Sequence, residues 1–130
     1  MKAVVKTEYG VFEVDLETEE VAPAGPVEVR GSEPLGLSLP RVVASAAAGS
    51  TIVAVVDRKP PLVVSHDAGI TWRETGGGLP PGHAVTLSED NPDLIVYASR
   101  NRLHVSTNGG VFWRALAAEL PTIEAVSLEG

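Results

Sequence analysis

Apolar and polar positions alternate in short bursts along this chain. Val11, Glu13 and Asp15 interleave with Phe12, Val14 and Leu16, a period of two that places opposite side chains on opposite faces of a strand. Short runs rich in β-branched residues predict further strands at 2–7, 42–46, 51–56, 62–65, 70–74, 84–87, 94–99, 103–106, 111–114 and 122–128. One more is expected within 19–30. Turn formers separate them: Ser88-Glu89-Asp90-Asn91-Pro92-Asp93, Arg100-Asn101-Arg102 and Asn108-Gly109-Gly110. No stretch holds a 3.6-residue period; residues 115–120 could form one helical turn at most.

The pattern repeats. Leu39-Pro40, Leu79-Pro80 and Leu120-Pro121 recur every 40 to 41 residues, each followed by a short apolar run. In a second register, Ser65-His66-Asp67-Ala68-Gly69-Ile70-Thr71-Trp72 aligns with Ser106-Thr107-Asn108-Gly109-Gly110-Val111-Phe112-Trp113 at the same period. Four short antiparallel strands in about 41 residues is the mark of a propeller blade. A blade cannot bury both faces of its sheet alone, so blades must stack.

Ser65-x-Asp67-x-Gly69-x-Thr71-Trp72 matches the Asp-box, or BNR repeat, at each defining position. Ser106-x-Asn108-Gly109-Gly110-x-x-Trp113 is a second copy, with Asn for Asp and Phe112 for Thr. The chain thus resembles the Asp-box β-propeller family, which includes sialidases, sortilin-type receptors and photosystem assembly factors. The resemblance covers residues 41–121 strongly and the ends weakly. It implies that Ser65, Asp67, Gly69, Thr71, Trp72, Ser106, Asn108, Gly110 and Trp113 are structural, on the loop between the third and fourth strands, away from the ligand face. Their chemistry agrees: a short carboxylate or amide accepts N–H bonds that a tight turn leaves unpaired, and glycine permits positive φ. The family spans enzymes, receptors and scaffolds, so the repeat says little about function.

These observations predict an all-β chain with about three blades: 1–40 a degenerate first blade, 41–81 and 82–121 two Asp-box blades, and 122–130 a strand completing a first blade, its own or a partner's. Closed propellers need about four blades or more. Two chains pairing into a six-bladed homodimeric ring would remove exposed strand edges. The rivals are an open three-blade stack capped at both ends and a fragment of a longer propeller.

Composition bounds the chemistry. The 130 residues carry a net charge of −7, which disfavours binding nucleic acid phosphates through net charge. No apolar run approaches the ~20 residues of a membrane span. No signal-peptide pattern opens the chain, so a cytoplasmic location is expected. Cysteine is absent, which removes disulfides and thiol catalysis. Gln is also absent and there are three Asn, as in proteins of thermophiles or of GC-rich genomes. The six acids Glu8, Glu13, Asp15, Glu17, Glu19 and Glu20 form a stretch without a base, read as a solvated face or a surface for a partner's arginines.

Candidate catalytic motifs fail one by one. Gly76-Gly77-Gly78-Leu79-Pro80-Pro81-Gly82 lacks the Lys-Ser/Thr of a phosphate loop and reads as a blade-to-blade linker. The acidic run 89–93 misses the EF-hand spacing, and His66, His83 and His104 lack metal-ligand spacing, so neither metal nor cofactor is expected. Resemblance to sialidases would imply an arginine triad, a Tyr–Glu pair and an Arg-Ile-Pro segment. That segment is missing, and Tyr9 and Tyr97 are the only tyrosines. Loops expected at the channel mouth carry Asp57, Arg58, Lys59, Arg100 and Arg102, with Arg41 and His83 near strand starts, a set that could hold an anion or a carboxylate. The leading expectation is a non-catalytic scaffold or binding module whose partners are itself, another protein or a small anionic ligand. The alternative is a glycosidase-like, carbohydrate-active enzyme, by family analogy only.

Overall fold

The computed structural model describes residues 1–25, 42–57 and 59–129 of the chain, with the side chain of Glu129 excepted. Among the described residues, twelve strands form three four-stranded antiparallel sheets. In chain order they are β1 (Lys2–Thr7), β2 (Gly10–Asp15), β3 (Val21–Pro23), β4 (Val42–Ala48), β5 (Thr51–Val56), β6 (Leu62–Ser65), β7 (Arg73–Thr75), β8 (Gly82–Leu87), β9 (Ile95–Ser99), β10 (Leu103–Ser106), β11 (Arg114–Ala115) and β12 (Ile123–Glu129). The sheets are β12-β1-β2-β3 (blade A), β4-β5-β6-β7 (blade B) and β8-β9-β10-β11 (blade C).

Blade A is completed within the chain. Strand β12 pairs antiparallel with β1, running from Lys2 opposite Glu129 to Thr7 opposite Ile123. The strand that follows the third Leu-Pro therefore occupies the place of a first strand, and β1, β2 and β3 are second, third and fourth.

Blade C sits between the other two. One of its faces contributes Val85, Leu87, Ile95 and Tyr97 to a cluster with Ala44, Val53, Val55, Leu62 and Val64 of blade B. Its other face contributes Ala84, Val96, Ala98, Leu103 and Val105 to a cluster with Ala3, Val5, Val14, Ile123 and Val126 of blade A. That double cover explains why β9 and β10 are buried at every position and lack simple alternation. Strand β8 touches both β4 and β12, whereas no strand of blade A approaches a strand of blade B. A and B are thus the two ends of the stack. The far side of B buries Ala54, Val56 and Val63 beside Trp72. The far side of A is mixed: Lys2 reaches Glu13 at 3.8 Å and Lys6 reaches Glu124 at 4.0 Å.

Two strands lie later than expected. The fourth strands begin at Arg73 and Arg114 rather than at 70 and 111. The preceding residues are held by the turn: the N–H groups of Thr71 and Phe112 donate to Asp67 and Asn108 side chains, not to a neighbouring strand. Residues 115–120 form no helical turn. They run alongside the sheet, with Leu116 N–H on Leu103 O (2.9 Å) and Leu120 N–H on Asn101 O (2.8 Å). No helix among the described residues is long and apolar enough to cross a membrane.

Candidate functional site

The polar chemistry of the two Ser-x-Asp/Asn turns is directed inward. The Ser65 hydroxyl donates to Asp67 Oδ1 (2.7 Å) and accepts from the N–H of Gly69 (2.8 Å). Asp67 Oδ1 also accepts Thr71 N–H (2.9 Å), and Oδ2 accepts the Thr71 hydroxyl (2.5 Å). These donors, the Thr71 hydroxyl first, hold the Asp67 carboxyl down at about 2. A carboxylate so stabilised is a poor general base near neutral pH. In blade C the same frame recurs: Ser106 Oγ to Asn108 Oδ1 at 3.0 Å, Gly110 N–H to Ser106 Oγ at 2.9 Å, and Phe112 N–H to Asn108 Oδ1 at 3.0 Å. Each tryptophan closes its turn from Nε1, Trp72 onto Gly69 O and Trp113 onto Gly110 O, both at 3.1 Å.

Blade A carries a reduced version. Asp15 Oδ1 accepts the N–H groups of Thr18 (3.0 Å) and Glu17 (2.8 Å), and those two bonds, Thr18 first, lower the Asp15 pKa. Neither serine nor tryptophan accompanies it.

These turns also form the seams between blades. At the B–C seam, Arg73 Nη2 donates to Gly109 O at 3.2 Å, and the Thr75 hydroxyl donates to Gly110 O. Trp113 Nε1 also reaches Thr75 Oγ1 at 3.0 Å. At the C–A seam, Arg114 Nη2 donates to Leu16 O (2.8 Å) and Nη1 pairs with Glu19 (3.3 Å), which also accepts Ala117 N–H. In both, an arginine opening the fourth strand latches onto a backbone oxygen of the next blade's turn. Motif reading missed this device, although its signal was present as Trp72-Arg73 and Trp113-Arg114 at the repeat period. One acid of the 8–20 stretch thus meets an arginine of its own chain.

The expected anion site fares differently. Arg41 and Arg58 lie outside the described residues. Asp57 and Lys59 are exposed on the β5–β6 loop, Arg100 on the β9–β10 loop, and His83 on β8. Arg102 is paired with Glu119 at 3.0 Å. No hydrogen bond or ion pair joins any two of Asp57, Lys59, His83, Arg100 and Arg102. A shallow cleft of about 250 Å³ lies instead beside the 65–72 turn, lined by Val64, His66, Asp67, Thr71, Trp72 and Arg73. Among the described residues no group of three His, Asp or Glu could hold a metal.

Sequence reasoning also missed a buried polar set on the B-facing side of blade C. Tyr97 is fully buried and donates to Pro80 O at 2.7 Å. Burial pushes its phenol up to about 12. His104, directly opposite on β10, has its ring centroid 5.8 Å from that of Tyr97. His104 Nε2 lies 3.1 Å from Ser99 Oγ, and Nδ1 has no hydrogen-bond partner among the described residues. Burial, then the Arg102 charge, lowers the His104 pKa.

No protein-family profile matches the sequence, and no curated protein matches it. Among solved structures, the chain is similar to a GH74 enzyme of Niastella koreensis, with 21% identity and a TM-score of 0.51 over 92% of this chain. It is also similar to YCF48 of Cyanidioschyzon merolae, with 22% identity and a TM-score of 0.48 over 89%. The chain spans 18% of the first and 33% of the second. The likeness to the first shows the fold alone: this is an all-β, propeller-type stack of three four-stranded blades.

Proposed function

We propose that the chain is a non-catalytic scaffold or binding module built from Asp-box blades. The carrying observation is where its polar groups are spent. Asp67, Asn108 and Asp15 hold turns, and Arg73 and Arg114 hold seams. An enzyme of the glycosidase type would instead need converging carboxyls, one with a raised pKa. Among the described residues the displaced carboxyls are Asp15 and Asp67, and both are displaced downward. Incubation with a panel of aryl glycosides tests this reading. No turnover is expected; turnover abolished by a single carboxyl substitution would establish the enzyme alternative.

Of the assemblies that three blades allow, the reading includes the open, capped stack in preference to a six-bladed homodimeric ring. Two features support it. The outer face of blade A carries ion pairs, as terminal repeats of a stack do. Strand β3, Val-Ala-Pro, offers no arginine for a further latch. Light scattering after size exclusion should give a mass near 13.6 kDa; twice that value would favour the ring.

A further inference from the structure

Three third-to-fourth-strand turns are present, and two are seated. Gly109 and Gly110 of the 106–113 turn are buried beneath Arg73 and Thr75 of the preceding blade. The blade A turn is engaged by Arg114. The 65–72 turn of blade B, by contrast, has no blade before it in the described stack.

That third turn is nonetheless already shaped for its partner. Ala68 and Gly69 hold φ of 58° and 92°, against 72° and 92° for the aligned Gly109 and Gly110. Ala68 N–H donates to Ser50 O at 2.9 Å, as Gly109 N–H donates to Asp93 O at 2.9 Å. The accepting oxygens differ only in occupancy. Gly110 O receives both Trp113 Nε1 and the Thr75 hydroxyl, while among the described residues Gly69 O receives Trp72 Nε1 alone. Gly109 O receives Arg73, while nothing among the described residues donates to Ala68 O. Ala68 is exposed, Gly69 half-buried, and Ile70 beside them is 82% exposed.

Resting on the scaffold reading, we propose that the Ala68–Gly69 turn is a docking site for an extended Arg-x-Thr segment of another protein. The arginine would donate to Ala68 O and the threonine hydroxyl to Gly69 O, repeating the B–C seam in trans. Charge agrees locally, because the segment's arginine meets a chain of net charge −7 beside the Asp67 carboxylate. The turn needs no rearrangement on binding, so ordering costs fall on the segment alone. A second copy of this chain is a poorer occupant, because the fourth strand that its blade A would present, β3, has no arginine.

The test uses a peptide of residues 70–76 of this chain (Ile-Thr-Trp-Arg-Glu-Thr-Gly), which carries the natural latch. It is titrated into ¹⁵N-labelled protein. The amides of Ala68, Gly69 and Ile70 should shift saturably, with a dissociation constant below about 1 mM. A peptide with Arg73→Ala should bind at least about tenfold more weakly, as loss of a charge-assisted bond requires. The proposal is overturned by an absence of saturation, by equal binding of the Arg73→Ala peptide, or by shifts centred on Gly109 and Gly110, which would mean displacement of β7. It is also overturned if the same amides shift with protein concentration alone while the mass doubles, since the occupant is then a second copy. A silent titration leaves the scaffold reading standing, because that reading is tested separately by glycoside turnover and by the mass in solution.

Discussion

Trp72 and Trp113 occupy the same position of the repeat, and their unequal surroundings predict unequal costs of removal. Both are half-buried and both close a turn through Nε1. Truncating a buried tryptophan to alanine costs about 3–5 kcal/mol, so half burial sets a shared cost of about 2 kcal/mol. Trp113 has two further interactions. Its Nε1 reaches the Thr75 hydroxyl at 3.0 Å, worth about 1 kcal/mol. Its ring meets Tyr97 edge-on at 6.5 Å, worth about 1 kcal/mol more. Trp113→Ala should therefore cost about 4 kcal/mol and Trp72→Ala about 2 kcal/mol. With a denaturant slope of about 1.5 kcal/mol/M, the two urea midpoints should differ by about 1.3 M. Far-UV circular dichroism reads both variants, and each keeps one tryptophan as a second, fluorescent probe. Midpoints within about 0.3 M of each other would refute the claim that the B–C seam adds stability to the turn.

Three further outcomes follow from the same contacts. The lowered His104 pKa means that the folded chain holds this ring neutral, so its contribution is complete above about pH 6.5 and is lost as pH falls toward the depressed folded value; His104→Leu should flatten stability measured by urea between pH 6.5 and 5, and an unchanged slope would exclude His104 as its source. Gly82→Ala places a Cβ in collision with Ala98 O and 2.6 Å from Tyr97 Oη, and should cost about 1–3 kcal/mol in thermal or urea melts, whereas a wild-type midpoint would contradict the packing. Asp67→Asn should melt closer to the parent than Asp67→Ala, because Asn108 already performs the amide version of the same turn; the reverse order would show that the charge, rather than the acceptor geometry, holds it.

The repeat was legible because a blade is a local object. Its strands are neighbours in sequence, its turns need Asn, Asp and Gly, and its tryptophans recur at the period. Seams were less legible. Arg73 and Arg114 act only through a backbone oxygen on the next blade, and a carbonyl has no residue signature. The fourth strands begin later than their side chains suggest for a related reason: Ile70-Thr71 and Val111-Phe112 have strand-like side chains, yet the turn claims the backbone N–H of Thr71 and Phe112. By spacing alone His104 is only a histidine without metal-ligand partners. Its burial comes from stacking between two other blades, which the 103–106 run cannot reveal. The expected anion set rests on loop position alone; Arg41 and Arg58 lie outside the described residues, and Arg102 pairs with Glu119.

Blade A is made from both ends of the element order, since β1 pairs with β12. During synthesis β1 and β2 can form a hairpin at once, but their innermost partner emerges only after blades B and C. Until then the nascent chain displays an unpaired, apolar strand edge at Ala3, Val4 and Val5. Folding on the ribosome is therefore expected to complete blade A last, although three of its strands precede blades B and C in the chain. Stalling the chain before β12 should leave a hairpin accessible to chaperones or protease while the B–C pair is already protected.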